Sequence, residues 1–167
     1  MQRIQSIFLL LVTISLASTF FFPLWQKLHY EIENNQTNIK EIETLYIYEL
    51  VYEKKNTNEG NSKILTRKSH IIILIFIGIV LSFYSIFQYK NRLQQIKIGA
   101  VNSLVMSLSI CVILYELFYV NGTIKNDYDI NILISFYLIL AALIFNSLAN
   151  RFIRKDEILV NESDRIR

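Results

Sequence analysis

Four stretches of this chain hold almost nothing but apolar side chains: Ile7–Trp25, Ile71–Phe87, Ala100–Val120 and Ile130–Leu148. Each covers roughly 17–21 residues, and at about 1.5 Å of rise per residue a helix of that length matches a hydrocarbon layer near 30 Å. A chain of 167 residues cannot build a core that covers four such helices on every side in water. The pattern predicts an all-α membrane protein. Four transmembrane helices, over residues 5–25, 70–88, 99–120 and 130–150, form an antiparallel bundle, and residues 1–167 make one domain.

The first run has features of a secretory signal, with Arg3 ahead of it and Ser15-Leu16-Ala17 as a passable cleavage site. The run continues, however, through Phe20-Phe21-Phe22-Pro23-Leu24-Trp25, and cleavage would leave exposed aromatics at the new terminus. A retained helix is the expectation, with Trp25 and the phenylalanines in the aromatic belt at the membrane interface.

The segment between the first two helices, residues 26–69, has a different grammar. His29-Tyr30-Glu31-Ile32-Glu33 alternates, and Leu45–Glu53 is rich in Tyr, Ile and Val, both strand signals. Asn56–Ser62 is a turn cluster. Two or three short strands capping the outer face are expected. Ile39, Ile42, Leu45 and Tyr46 also keep helical spacing, which leaves an amphipathic helix as the alternative.

Charge sets the orientation. The loop Gln88–Gly99 carries Lys90, Arg92 and Lys97 with no acid, whereas Asn121–Asp129 carries Lys125 beside Asp127 and Asp129. Short basic loops stay in the cytoplasm, so both termini are expected there. Arg67-Lys68 at the start of the second helix argues the other way. A net charge of +3 is too mild to argue for nucleic acid. A lone cysteine, Cys111, excludes an internal disulfide.

Candidate chemistry is sparse. Gly99, Ser103, Ser107 and Cys111 recur every fourth residue, a small-residue ridge suited to close helix packing. Asn102, Asn146 and Asn150 fall at the inner ends of their helices, level with Gln2, Gln5 and Gln88, and read as an interhelical amide layer. Glu116 is the one acid inside a span; near the outer interface it can reach water, Lys27 or Arg67. His29 and His70 flank the outer loop without the further ligands a metal site needs. No phosphate loop, zinc motif or nucleophile–base set is present, so no catalytic residue, cofactor or metal is expected.

The two ends carry the remaining polar pattern. Arg151, Arg154 and Lys155 lie where a helix leaving the bilayer meets lipid phosphates. Asp156, Glu157 and Asp164 are available to Arg3, or to Lys90 and Arg92. The opening Gln2-Arg3-Ile4-Gln5 and the closing Ala149-Asn150-Arg151-x-Ile153-Arg154-Lys155-Asp156-Glu157-x-Leu159-Val160, with Asp164-Arg165-Ile166-Arg167, resemble the bacterial membrane family known as domain of unknown function 4293. Asn161-Glu162 departs from that family's pattern. The resemblance implies four spans over the whole chain, a place in a bacterial inner membrane and no established activity.

A cytoplasmic surface is therefore expected from Gln2, Arg3, Gln5, Asn150, Arg151, Arg154, Lys155, Asp156, Glu157, Asp164 and Arg165, with residues 151–167 as a helical tail. The functional expectation is a non-enzymatic scaffold or accessory protein, embedded in the lipid bilayer and meeting a cytoplasmic or membrane protein. The alternative is a subunit of a small-molecule or ion transporter or channel.

Overall fold

The computed structural model describes residues 2–33, 36–54, 61–67, 69–89, 91–120 and 128–165. The chain is mostly helical, with α1 (Gln2–Ser18), α2 (Ser69–Phe87), α3 (Arg92–Tyr115) and α4 (Ile134–Arg165). A π-helical turn, Glu116–Val120, extends α3. Between α1 and α2 lie four strands, β1 (Trp25–Glu33), β2 (Gln36–Leu45), β3 (Glu49–Lys54) and β4 (Asn61–Arg67), and β5 (Tyr128–Ile132) precedes α4. Three helical segments, Ser69–Phe87, Arg92–Phe118 and Ile134–Val160, are long and apolar enough to cross a membrane; the first apolar helix is shorter.

The first run does not stay helical to Trp25. After Ser18 the backbone tightens into three-residue turns, Thr19 N–H to the Leu16 carbonyl, Phe20 to Ala17 and Phe21 to Ser18. Pro23 then removes a donor, and the residue before a proline is pushed toward extended backbone. The freed carbonyls of Thr19 and Phe22 accept from the buried Ser135 hydroxyl at 3.3 and 2.5 Å. The end of α1 is thus fastened to the first turn of α4, and the chain turns into the sheet.

The sheet has the order β4-β3-β2-β1-β5, every neighbour antiparallel. Strand composition wins over helical spacing in Gln36–Leu45 because the β1–β2 hairpin supplies a partner for it. Of the turn cluster Asn56–Ser62, Asn61 and Ser62 begin β4, and the rest lies outside the described residues. β5 straddles the loop and the start of the fourth apolar run: Tyr128-Asp129-Ile130-Asn131-Ile132 alternates, and it pairs with β1 at the edge of the sheet. The β2–β3 turn places Ile47 in the core and is closed by Tyr46 N–H to the Glu49 carbonyl at 2.8 Å.

One row across the sheet, Leu50, Leu45 and Trp25, is buried. It packs with Leu24 and Ile47 on Ile71 and Ile75 of α2, Ile113 of α3, Leu117 of the π turn and Ile139 of α4. The sheet therefore sits on one end of the helices. Among the helices α1 packs on α2 and α4, and α3 packs on α2 and α4. Side-chain bonds show opposed directions for α2 and α3 (Ser82 with Asn102, Ser85 with Gln95) and for α3 and α4 (Ser103 with Asn146, Arg92 with Asp156).

Candidate interaction surface at the paired helix ends

Opposite the sheet, the first turns of α1 and α3 meet the C-terminal half of α4. Gln5, buried, donates to the Phe152 carbonyl at 3.4 Å. One turn on, Phe8 stacks on Phe152 with centroids 5.5 Å apart and leans on Phe145. From the other side Arg92 donates to the Asp156 carbonyl at 3.1 Å and pairs with its carboxylate at 3.6 Å. Of the cations expected to take Asp156, Arg92 does so. The side chains of Gln2, Arg3, Asp164 and Arg165 lie outside the described residues, though their backbones are helical.

Those contacts fix α4 without a break to Arg165. Ile153 is fully buried, whereas Ile158, Leu159 and Val160 are exposed. Arg151, Arg154 and Lys155 line an open cleft of about 540 Å³ against α3. Glu157 faces a different opening, shared with Arg92 and Val160. The expected end surface is thus divided: Gln5 and Asp156 anchor it, the three cations of α4 face one side, and Glu157 another.

The amide layer is real but differently composed. Asn102 donates to the Ser82 hydroxyl at 2.7 Å, and Asn146 donates to the Gly99 carbonyl and the Ser103 hydroxyl, both at 2.8 Å. Asn150 lies flat against Gly99. Gln88 stands apart, donating to Tyr84 on the surface. Gln95 takes its place, almost fully buried and donating to the Ser85 carbonyl at 3.0 Å. The signal for Gln95 was its spacing: Gln95, Asn102 and Ser109 recur every seventh residue on the face that α3 buries. The small-residue ridge follows that face only at Gly99 and Ser103. Ser107 and Cys111 are exposed, because a four-residue repeat drifts around a helix of 3.6 residues per turn.

At the sheet end, Glu116 is buried and pairs with His70 at 3.1 Å. His29 and His70 have separate carboxylate neighbours, His29 lying 3.9 Å from Glu43. Among the described residues no three His, Cys, Asp or Glu side chains are grouped to hold a metal. The Tyr30 phenol donates to Asp129 across β1 and β5, which holds its proton to higher pH than a free tyrosine.

Lys27 is buried over the Trp25 ring, 5.2 Å from its centroid. Burial pushes its ammonium below the ordinary lysine value, and Glu43 partly offsets this. The folded-state value is thus lower than the unfolded one, and between the two the unfolded chain binds more protons. Stability should rise with pH through that window, which ends near 10.5. Unfolding midpoints in detergent from neutral pH to about pH 10 should show this rise for the native chain and a smaller one for Lys27→Met. Equal slopes would remove the burial cost from the account.

Residues 1–166 match the family described as domain of unknown function (DUF4293). The chain belongs to DUF4293. No match was found among curated proteins. The two ends that carry the DUF4293 resemblance, around Gln5 and around Asn150–Asp156, are in contact in the fold. They lie at one end of the DUF4293 chain, opposite the sheet.

Proposed function

We propose that this chain is an integral membrane protein of a bacterial inner membrane. Its four helices form an antiparallel bundle, with both termini cytoplasmic and the sheet outside. It acts as a non-enzymatic scaffold or accessory protein through the extension of α4. The observation that supports this most directly is the length of that helix. Its 32 residues extend about 48 Å, against a hydrocarbon layer near 30 Å. The excess is charged, is clamped at its base by Arg92 and Gln5, and exposes Ile158, Leu159 and Val160 beyond the clamp. α1 is short for a span, and Phe20, Phe21 and Phe22 continue its apolar surface toward the sheet; Phe21 is 81% exposed.

The clamp supplies the test. A photo-crosslinking residue at Leu159 in the full-length protein, in native membranes, should capture a defined protein partner, whereas one at Tyr137 should not. Arg92→Glu should lower that yield severalfold by releasing the extension, and Asp156→Arg in the same chain should restore part of it. Capture that is equal at both positions, or untouched by Arg92→Glu, would remove the extension as the working surface.

A further inference from the structure

The cleft between α3 and α4 combines two features that a protein partner does not explain. Arg151, Arg154 and Lys155 line it with Ile158, at spacings of three, four and seven residues that form one stripe of α4. Ile96 and Ala100, one turn apart, form the facing wall on α3. No acid lines the cleft, and among the described residues none of the three cations has a carboxylate partner. The neighbouring opening differs, because Arg92 there is held by Asp156 and Glu157 lines the wall. The helical rows that form this cleft continue toward the sheet as an exposed, uncharged and mostly apolar furrow. Ala100 leads to Leu104, Ser107 and Cys111 on α3, and Arg151 leads to Ser147 and Ile144 on α4, all exposed. Small residues in the row keep the furrow open, which is a use for Ser107 and Cys111 that helix packing leaves unexplained.

We propose that this cleft holds one anionic phospholipid, its headgroup phosphate against Arg151, Arg154 and Lys155 and an acyl chain along the furrow. The inference rests on the membrane reading above. Charge complementarity selects the occupant: cations at one end and an uncharged, mostly apolar continuation match a lipid with a negative head, and match neither a free phosphate nor an acidic peptide. Neutral phosphatidylcholine carries a choline cation that the three bases repel.

Native mass spectrometry of the detergent-solubilised full chain, with added phosphatidylglycerol or phosphatidylcholine, tests this. One phosphatidylglycerol should be retained in preference, and each cation changed to glutamine should weaken retention on the order of fivefold. Ala100→Phe, which fills the furrow at an exposed position and leaves every charge, should also expel the lipid. Equal retention of both lipids, unchanged retention in Arg151→Gln/Arg154→Gln/Lys155→Gln, or displacement by inorganic phosphate alone would overturn the proposal. Alkaline carbonate extraction of native membranes separates the two readings. Release of the chain overturns the membrane reading itself, whereas a chain that stays in the pellet without lipid preference overturns the lipid site alone.

Discussion

Trp25→Ala should be the most damaging single substitution in the chain, costing about 3–5 kcal/mol. The ring is 1% exposed and lies where sheet, α1 end and helices meet, beside Leu24, Leu45 and Leu50 and below Lys27. Truncation would leave a cavity that strands on one side and helices on the other cannot close, since both are held by their own backbone bonds. Trp25→Phe should cost less, because it keeps an aromatic ring and removes an indole N–H that has no acceptor among the described residues. Thermal unfolding followed by circular dichroism in detergent would measure both. A loss below about 1 kcal/mol for alanine would mean that the sheet is not packed on the helices as described.

A second measurement separates the two places open to this ring. A tryptophan in the aromatic belt is quenched by brominated lipids; one sealed under the sheet is not. The chain has a single tryptophan, so its fluorescence reports this site alone. Emission of the reconstituted protein should resist both brominated lipid and aqueous iodide.

The same residue marks where sequence and fold part company. Ile7–Trp25 reads as one apolar run because hydropathy counts side chains and ignores the backbone. What ends α1 at Ser18 is local, Pro23 and the loss of helical donors, combined with a distant donor to the freed backbone carbonyls, Ser135. β5 was missed for a related reason. Its alternation is visible, but five residues of it could be recognised as a strand only by the partner, β1, that lies about a hundred residues earlier. The hairpins β1–β2 and β3–β4 were more legible, since alternation and partner are both local. At the other end, the pairing of Gln5 with Phe152 and of Arg92 with Asp156 was foreseeable in kind, as charges and amides brought to one depth by helix direction. Which cation takes Asp156 was not, because Arg3, Lys90 and Arg92 are equivalent until the crossing of α3 and α4 is known.

That crossing rests on a missing side chain. A Cβ at Gly99 would fall onto Asn150 Oδ1 and within 2.6 Å of its Cγ and Nδ2. Either Asn150 would have to swing out, or the helices would part and Asn146, which donates to the Gly99 carbonyl and to Ser103 one turn away, would lose its seat. Overpacking of this kind costs about 1–3 kcal/mol. Alanine at a helical glycine returns up to about 1 kcal/mol of backbone entropy. The clash wins, so Gly99→Ala should lower stability by about 1–2 kcal/mol, and Gly99→Leu by more. The sign should invert when the obstacle is removed. In an Asn150→Ala background, Gly99→Ala should be neutral or stabilising, because only the entropy gain remains. This cycle measures contact directly, since a residue that merely dislikes alanine would show the same loss in both backgrounds. It also bears on the proposed lipid, because Ala100 and Arg151 adjoin Gly99 and Asn150 in sequence. If the helices separate at that point, the cleft between them widens and its phospholipid should be lost together with the stability.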